Sequence, residues 1–161
     1  MGGKENPLAN RALLTLNAFM RKKTPAKAKA KSPKVRKVKK EAALIFVVDD
    51  EPMMGEVVEA ILKLEGHQTR VFTEPDEALR AIDAERGKVK LLLTDFVMPG
   101  MNGMELIEQA KKNAPDLRTI LFSGNFGQDI MRYYPVKPDR FLNKPFQPKA
   151  LTGLVQAVLG K

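Results

Sequence analysis

Residues 43–48 (ALIFVV) form a continuous apolar run, short enough for a strand and apolar on both sides, as expected of a strand covered on both faces. Pro52 then opens a stretch in which Val57, Ala60, Ile61 and Leu64 recur at helical spacing and share one face, and Gly66 closes it. Residues 69–73 (TRVFT) read as a second strand, and Pro75 begins a second helix (PDEALRAIDAER) that Gly87 ends. A third strand covers 89–94 (VKLLLT) and finishes on Asp95. The turn FVMPGMNG follows, then a helix over 103–113 that stops before Pro115. Residues 118–122 (RTILF) make a fourth strand running into Ser123-Gly124, 140–142 (RFL) a fifth, and 147–159 a closing helix. Between the last two strands, NFGQDIMRYYPVKP has room for a short helix at most before Pro135 and Pro138.

Strand and helix alternate along about 120 residues, which predicts an α/β fold with a parallel sheet and helices on both faces. Right-handed crossovers leave few arrangements, and the doubly wound, flavodoxin-like order 2-1-3-4-5 is the common five-strand solution.

The first 40 residues have a different character. They hold thirteen Lys or Arg and one acid, Glu5, a balance of +12. Residues 41–161 hold the remaining fifteen bases and eighteen acids, a balance of −3, so the net +9 averages two unlike parts. Residues 24–40 (TPAKAKAKSPKVRKVKK) have nothing to bury, and a disordered basic arm is expected over 1–40, with the folded body over 41–161. Leu8, Ala12, Leu16 and Phe19 allow a short amphipathic helix over 8–22. The arm leaves two readings open: attachment of residues 21–40 to a polyanion such as nucleic acid, or a solvated leader. No secretory, transit or acylation signal is expected in the polar, acid-poor residues 1–23. With no apolar run of 18 residues, no membrane span is expected. The absence of cysteine excludes disulfides and thiolate metal sites, and His67, read as a surface residue opening the second strand, is the sole imidazole.

In an open parallel sheet, ligands sit beyond the carboxyl ends of the strands where the strand order reverses, here between the first and third strands. Asp49 and Asp50 follow the first strand, Asp95 ends the third, Ser123 ends the fourth and Lys144 follows the fifth. Taken singly, each has an ordinary explanation as a helix cap, turn former or surface group. Taken together, they put three carboxylates, a hydroxyl and a lysine on one edge. Carboxylates gathered in this way repel unless a cation sits among them. An oxygen-only cluster without Cys or His suits Mg²⁺, while Lys and Ser suit a phosphoryl group. Met98, Met101 and Met104 read as turn packing.

With these residues placed, the body over 43–160 resembles a response-regulator receiver domain. The matching segments are FVVDDEP (46–52), TDFVMPGMNGMEL (94–106), LFSGN (121–125) and FLNKPF (141–146). The resemblance implies a two-component signalling protein of the cytoplasm that accepts a phosphoryl group on Asp95 from a histidine kinase or histidine phosphotransfer protein. It further implies Mg²⁺ bound by Asp50, Asp95 and the Val97 backbone carbonyl, with Asp49 acting through water. Lys144 is implied to pair with the phosphoryl oxygens across a cis bond to Pro145, and Ser123 and Phe141 to switch on phosphorylation and change binding to a downstream protein. The family member so implied is a phospho-acceptor that catalyses its own phosphorylation and dephosphorylation, not a turnover enzyme. A magnesium-dependent phosphatase of similar topology would need a second acid two residues after the nucleophile, and Val97 stands there. Pro135 and Pro138 depart from the family's usual fourth helix. The sequence ends at Lys161 directly after the last predicted helix, giving the expectation of a single-domain receiver with a basic N-terminal extension.

Overall fold

Long aliphatic runs without charge are stable only as strands walled in on both sides, and three such runs become the central strands of one sheet. The computed structural model describes residues 42–85, 87–124 and 132–160. Its strands are β1 (Leu44–Val48), β2 (Gln68–Phe72), β3 (Val89–Asp95), β4 (Arg118–Ser123) and β5 (Arg140–Asn143). The helices are α1 (Pro52–Leu64), α2 (Pro75–Glu85), α3 (Gly103–Asn113) and α4 (Pro148–Leu159). All neighbouring strands pair in parallel in the order β2-β1-β3-β4-β5, the doubly wound arrangement expected.

Strand alternation divides the core in two. Ile45 and Val47 of β1 join Leu91, Leu93, Ile120 and Phe122 on the face covered by α1 and α4. Phe46 and Val48 join Leu92 and Leu121 on the face covered by α2 and α3. The charged residues of the expected basic arm, and the short helix expected over 8–22, lie outside the described residues, as does Arg86 at the end of the second predicted helix. Among the described residues, no helix is long and apolar enough to cross a membrane.

Two expectations are corrected. The face of α1 turned to the core is built on Gly55, Val58 and Leu62, and of the expected row Val57, Ala60, Ile61 and Leu64 only Ile61 packs against it. Val57 is 52% exposed and Leu64 89%, and Met53 continues that outer row at 73%. The reason is close approach. A Cβ at Gly55 would stand 2.5 Å from Val71 Cγ1 of β2, so the helix settles with its glycine against the strand. His67 is buried, not a surface residue, and its Nδ1 accepts the Ala43 N–H at 3.4 Å where β1 and β2 begin.

The connection from β4 to β5 contains no α-helix among its described residues. Arg132 and Tyr133 form one 3₁₀ turn, after which Tyr134 and Val136 pack against the α2/α3 side of the core. Asp139 then anchors the short edge strand β5. Its carboxylate accepts from the Thr119 backbone N–H (2.9 Å) and hydroxyl (3.0 Å), and pairs with Lys111 of α3 (3.0 Å) and Arg118 (3.1 Å).

Candidate functional site

Because every strand runs the same way, the residues that end β1, β3, β4 and β5 emerge at one edge of the sheet. The register brings Val48 beside Thr94, Asp95 beside Phe122 and Ser123 beside Asn143. The side chains that meet there are Asp49, Asp95 and Lys144. Lys144 Nζ lies 2.9 Å from Asp49 Oδ2 and 2.6 Å from Asp95 Oδ1. Each carboxylate spends its other oxygen on its own loop: Asp49 Oδ1 accepts the Glu51 N–H and Asp95 Oδ2 the Val97 N–H, both at 3.0 Å. The backbone is fixed as well, since Lys144 N–H donates to the Ser123 carbonyl at 2.7 Å and Phe96 N–H to the Phe122 carbonyl at 3.0 Å.

Burial sets the electrostatics. The Asp49 side chain is 1% exposed, and burial pushes its carboxyl above the usual range. The hydrogen bond and charge of Lys144 and the Glu51 N–H oppose that rise, and the neighbouring charge of Asp95 adds to it. Burial pulls Lys144 down, but the hydrogen bonds it donates to Asp95 and Asp49 and the charges of those two carboxylates outweigh it, so the ammonium is held above its ordinary value. Two carboxylates and one ammonium leave a surplus of one negative charge in a half-dry crevice, and Asp50 stands exposed next to it in the chain.

The other expected residues are placed as follows. Ser123 is 4% exposed and its hydroxyl donates to the Gly124 carbonyl at 2.9 Å, not to the acidic pair. Val97 is 55% exposed and Phe141 40% exposed. The Lys144–Pro145 bond is cis, as expected. Met98 and Met104 are buried in the core and Met101 packs against it. The expected cluster of three carboxylates is narrower: among the described residues no three acidic or imidazole side chains form a ready metal cage, and the converging pair is Asp49 and Asp95. Adjacent in the chain, Asp49 and Asp50 part ways, one buried and the other in solvent. The donor set nonetheless fits a hard divalent cation. It is made of oxygens alone, it already gathers around one positive charge, and it carries a negative surplus.

Sequence reasoning missed two residues behind this edge. Gly103, the first residue of α3, donates its N–H to the Phe96 carbonyl at 3.0 Å, and a Cβ on it would lie 2.1 Å from the Asp95 carbonyl oxygen. Asn102 caps α3 and reaches Tyr134, a partner 32 residues away that no local pattern could supply. The glycine at a helix start inside a Pro-Gly-rich turn was the one readable signal.

The family model described as the response regulator receiver domain matches residues 45–156. The chain belongs to that family. Receivers are the phospho-accepting domains of two-component response regulators, and aspartate phosphorylation is the family's general mechanism. Among curated relatives, the DNA-binding response regulator MtrA of Mycolicibacterium smegmatis is 31% identical over 115 residues, covering 71% of this chain and 50% of that protein. The DNA-binding transcriptional regulator NtrC of Azospirillum brasilense is 34% identical over 122 residues, covering 73% of this chain and 24% of that one. The chain thus spans half the length or less of these relatives. Among solved structures, a CheY-like receiver domain protein from Methanospirillum hungatei superposes with a TM-score of 0.66 at 26% identity, covering 74% of this chain and 94% of that one. The receiver domain of NtrX from Brucella abortus gives 0.63 at 31% identity, covering 73% and 98%.

Proposed function

We propose that this receiver takes its phosphoryl group on Asp95 and that Lys144 neutralises the charge that builds on the transferred group. The observation that carries the reading is the shared grip of Lys144 on Asp49 and Asp95 at the carboxyl edge of the sheet. In the transfer, an Asp95 carboxylate oxygen forms the new O–P bond while the P–N bond of a partner's phosphohistidine breaks. The electron pair of that bond stays on the imidazole nitrogen. Lys144 moves from pairing two carboxylates to pairing phosphoryl oxygens, and supplies positioning and charge, not covalent chemistry. Asp50, Asp95 and the Val97 carbonyl would hold Mg²⁺, with Asp49 acting through water. When bound, the ion neutralises charge on the phosphoryl oxygens and on the crowded carboxylates.

Ser123 is the hydroxyl available to the new group, at the cost of its bond to the Gly124 carbonyl. Phe141, two residues along β5 from Asp139 and part-exposed, is the side chain that follows it, altering the surface read by a downstream protein. The partner that delivers the phosphoryl group is a histidine kinase or histidine phosphotransfer protein. The exposed row Met53, Val57, Ala60 and Leu64 on α1 has the spacing of a helix-packing seam and begins three residues from Asp50, which suits a helical donor. The protein acts by this phosphorylation and not by turnover of a separate substrate. Replacing Asp95 with Asn is expected to abolish labelling by acetyl phosphate. Labelling of that variant at the wild-type level would show that another residue accepts the group.

A second reading concerns residues 21–40, favoured by their charge contrast with the acidic body. Binding of duplex DNA by this stretch would weaken with salt at a slope of roughly −0.9 per phosphate neutralised. A chain beginning at Ala42 that binds DNA as well as the full chain at low salt would remove it.

A further inference from the structure

Asp95 ends β3 and opens a loop, residues 96–102, that must hold its carboxylate still while the group it receives is charged and bulky. That loop is seated on the first turn of α3. At Gly103 the helix comes so close to the Asp95 backbone that a Cβ would stand 2.1 Å from the Asp95 carbonyl oxygen and 2.7 Å from Leu121 Cδ1. Any tilt of the α3 N-terminus is therefore passed to Asp95 by contact. The tilt is governed by Asn102. Its Oδ1 accepts the Met104 and Glu105 N–H groups, each at 3.0 Å, while its backbone N–H donates to Glu105 Oε2 at 3.0 Å. Only the oxygen end of the amide can do this capping, so the amide must be kept from turning over.

The group that keeps it is the Tyr134 hydroxyl, whose oxygen accepts from Asn102 Nδ2 at 3.2 Å. Tyr134 is itself seated. It packs half-buried against the core cluster containing Phe46 and Val48, and its carbonyl accepts from Lys137 Nζ at 2.6 Å. We propose that Tyr134 is a positioning residue for phosphorylation, acting through the Asn102 cap on the seat of Asp95. The inference rests on the reading of Asp95 as the acceptor. It adds the chain's connection between β4 and β5 to the parts that set the acceptor's geometry, and it does so through one hydroxyl.

The test is a double-mutant cycle in the full chain, reading the initial rate of labelling by acetyl phosphate at saturating donor. Labelling is done at a temperature where urea titration shows every variant fully folded. The variants are Tyr134→Phe, Asn102→Ala and the two combined, with Asp95→Asn as the blank. Tyr134→Phe removes a single oxygen and is expected to slow labelling by roughly two- to tenfold, the worth of one such bond. In the Asn102→Ala background the same change is expected to have no further effect, because the route from Tyr134 to Asp95 has already been cut. A role confined to stability would leave the rate of a fully folded variant untouched. Wild-type labelling by Tyr134→Phe, or effects of the two changes that simply multiply, overturns the proposal. Failure of the wild type to label above the Asp95→Asn blank would instead overturn the reading of Asp95, so the two failures are told apart.

Discussion

Asp139 is the residue whose removal tests how the edge that carries Asp49, Asp95 and Lys144 is held from the opposite end of the sheet. It precedes a four-residue strand that pairs only with β4, and Lys144 leaves the far end of that strand. Asp139→Asn keeps the shape and one acceptor oxygen, which can still serve the Thr119 N–H, but removes the charge. The half-buried pair with Lys111 is worth about 1 kcal/mol, and the change from charged to neutral acceptor at Thr119 about as much again. Arg118, with half its side chain in solvent, adds at most a few tenths. The sum is about 2 kcal/mol, or a fall of roughly 1 M in the urea midpoint. The dependence on pH has a definite sign. Burial pushes the Asp139 carboxyl up, but hydrogen bonds from Lys111 and Thr119 and the Lys111 charge outweigh it and hold it below its ordinary 3.8. A carboxyl lowered on folding contributes stability above its unfolded value and loses it as pH falls through the folded one. The gap between wild type and Asp139→Asn should thus stay constant from pH 8 to about 5 and close only below about 4. Urea titrations across that range are the assay. A gap that shrinks on going from pH 5 to 8, or a Lys111→Met change costing the same with and without Asp139, would refute the account.

Two further outcomes follow from contacts already described. Gly55→Ala should cost about 1–3 kcal/mol because its Cβ meets Val71 at 2.5 Å, and Val71→Ala should recover part of that loss in the double variant, as read by urea midpoints. Lys144→Met should lower the rate of acetyl phosphate labelling at least tenfold while leaving a cooperative unfolding transition, since in the proposed transfer the charge it removes acts on the phosphoryl group.

The elements were legible where burial leaves a period or a run. β1, β3 and β4 each contain an unbroken apolar run, and α3 lies between a readable glycine and a proline. The inward face of α1 was not legible, because that helix carries two apolar rows. One holds Met54, Val58, Ile61 and Leu62, the other Met53, Val57, Ala60 and Leu64. Periodicity cannot choose between rows, and the deciding feature is the close approach of Gly55 to a strand. The order of the site residues along the chain was enough to place Asp49, Asp95, Ser123 and Lys144 at one edge. What it could not supply was the difference between Asp49, sealed against Lys144, and Asp50 in solvent. His67 was misjudged because its value is to accept one backbone N–H, from Ala43, 24 residues away. Asp139 and Tyr134 escaped for the same reason, their partners being fixed by tertiary pairing and not by spacing.

The bond between Asp49 and Lys144 joins residues 95 apart, and it needs β1, β3 and β5 in their final order before it can form. During synthesis the two acids leave the ribosome well before the lysine that balances them. Until β5 docks on the edge of the sheet, Asp95 lacks its ion pair with Lys144. On the reading proposed for Asp95, readiness for phosphorylation is thereby a property of the finished domain. A chain that misplaces its last strand, or is cut before it, is expected on that reading to label as slowly as Lys144→Met.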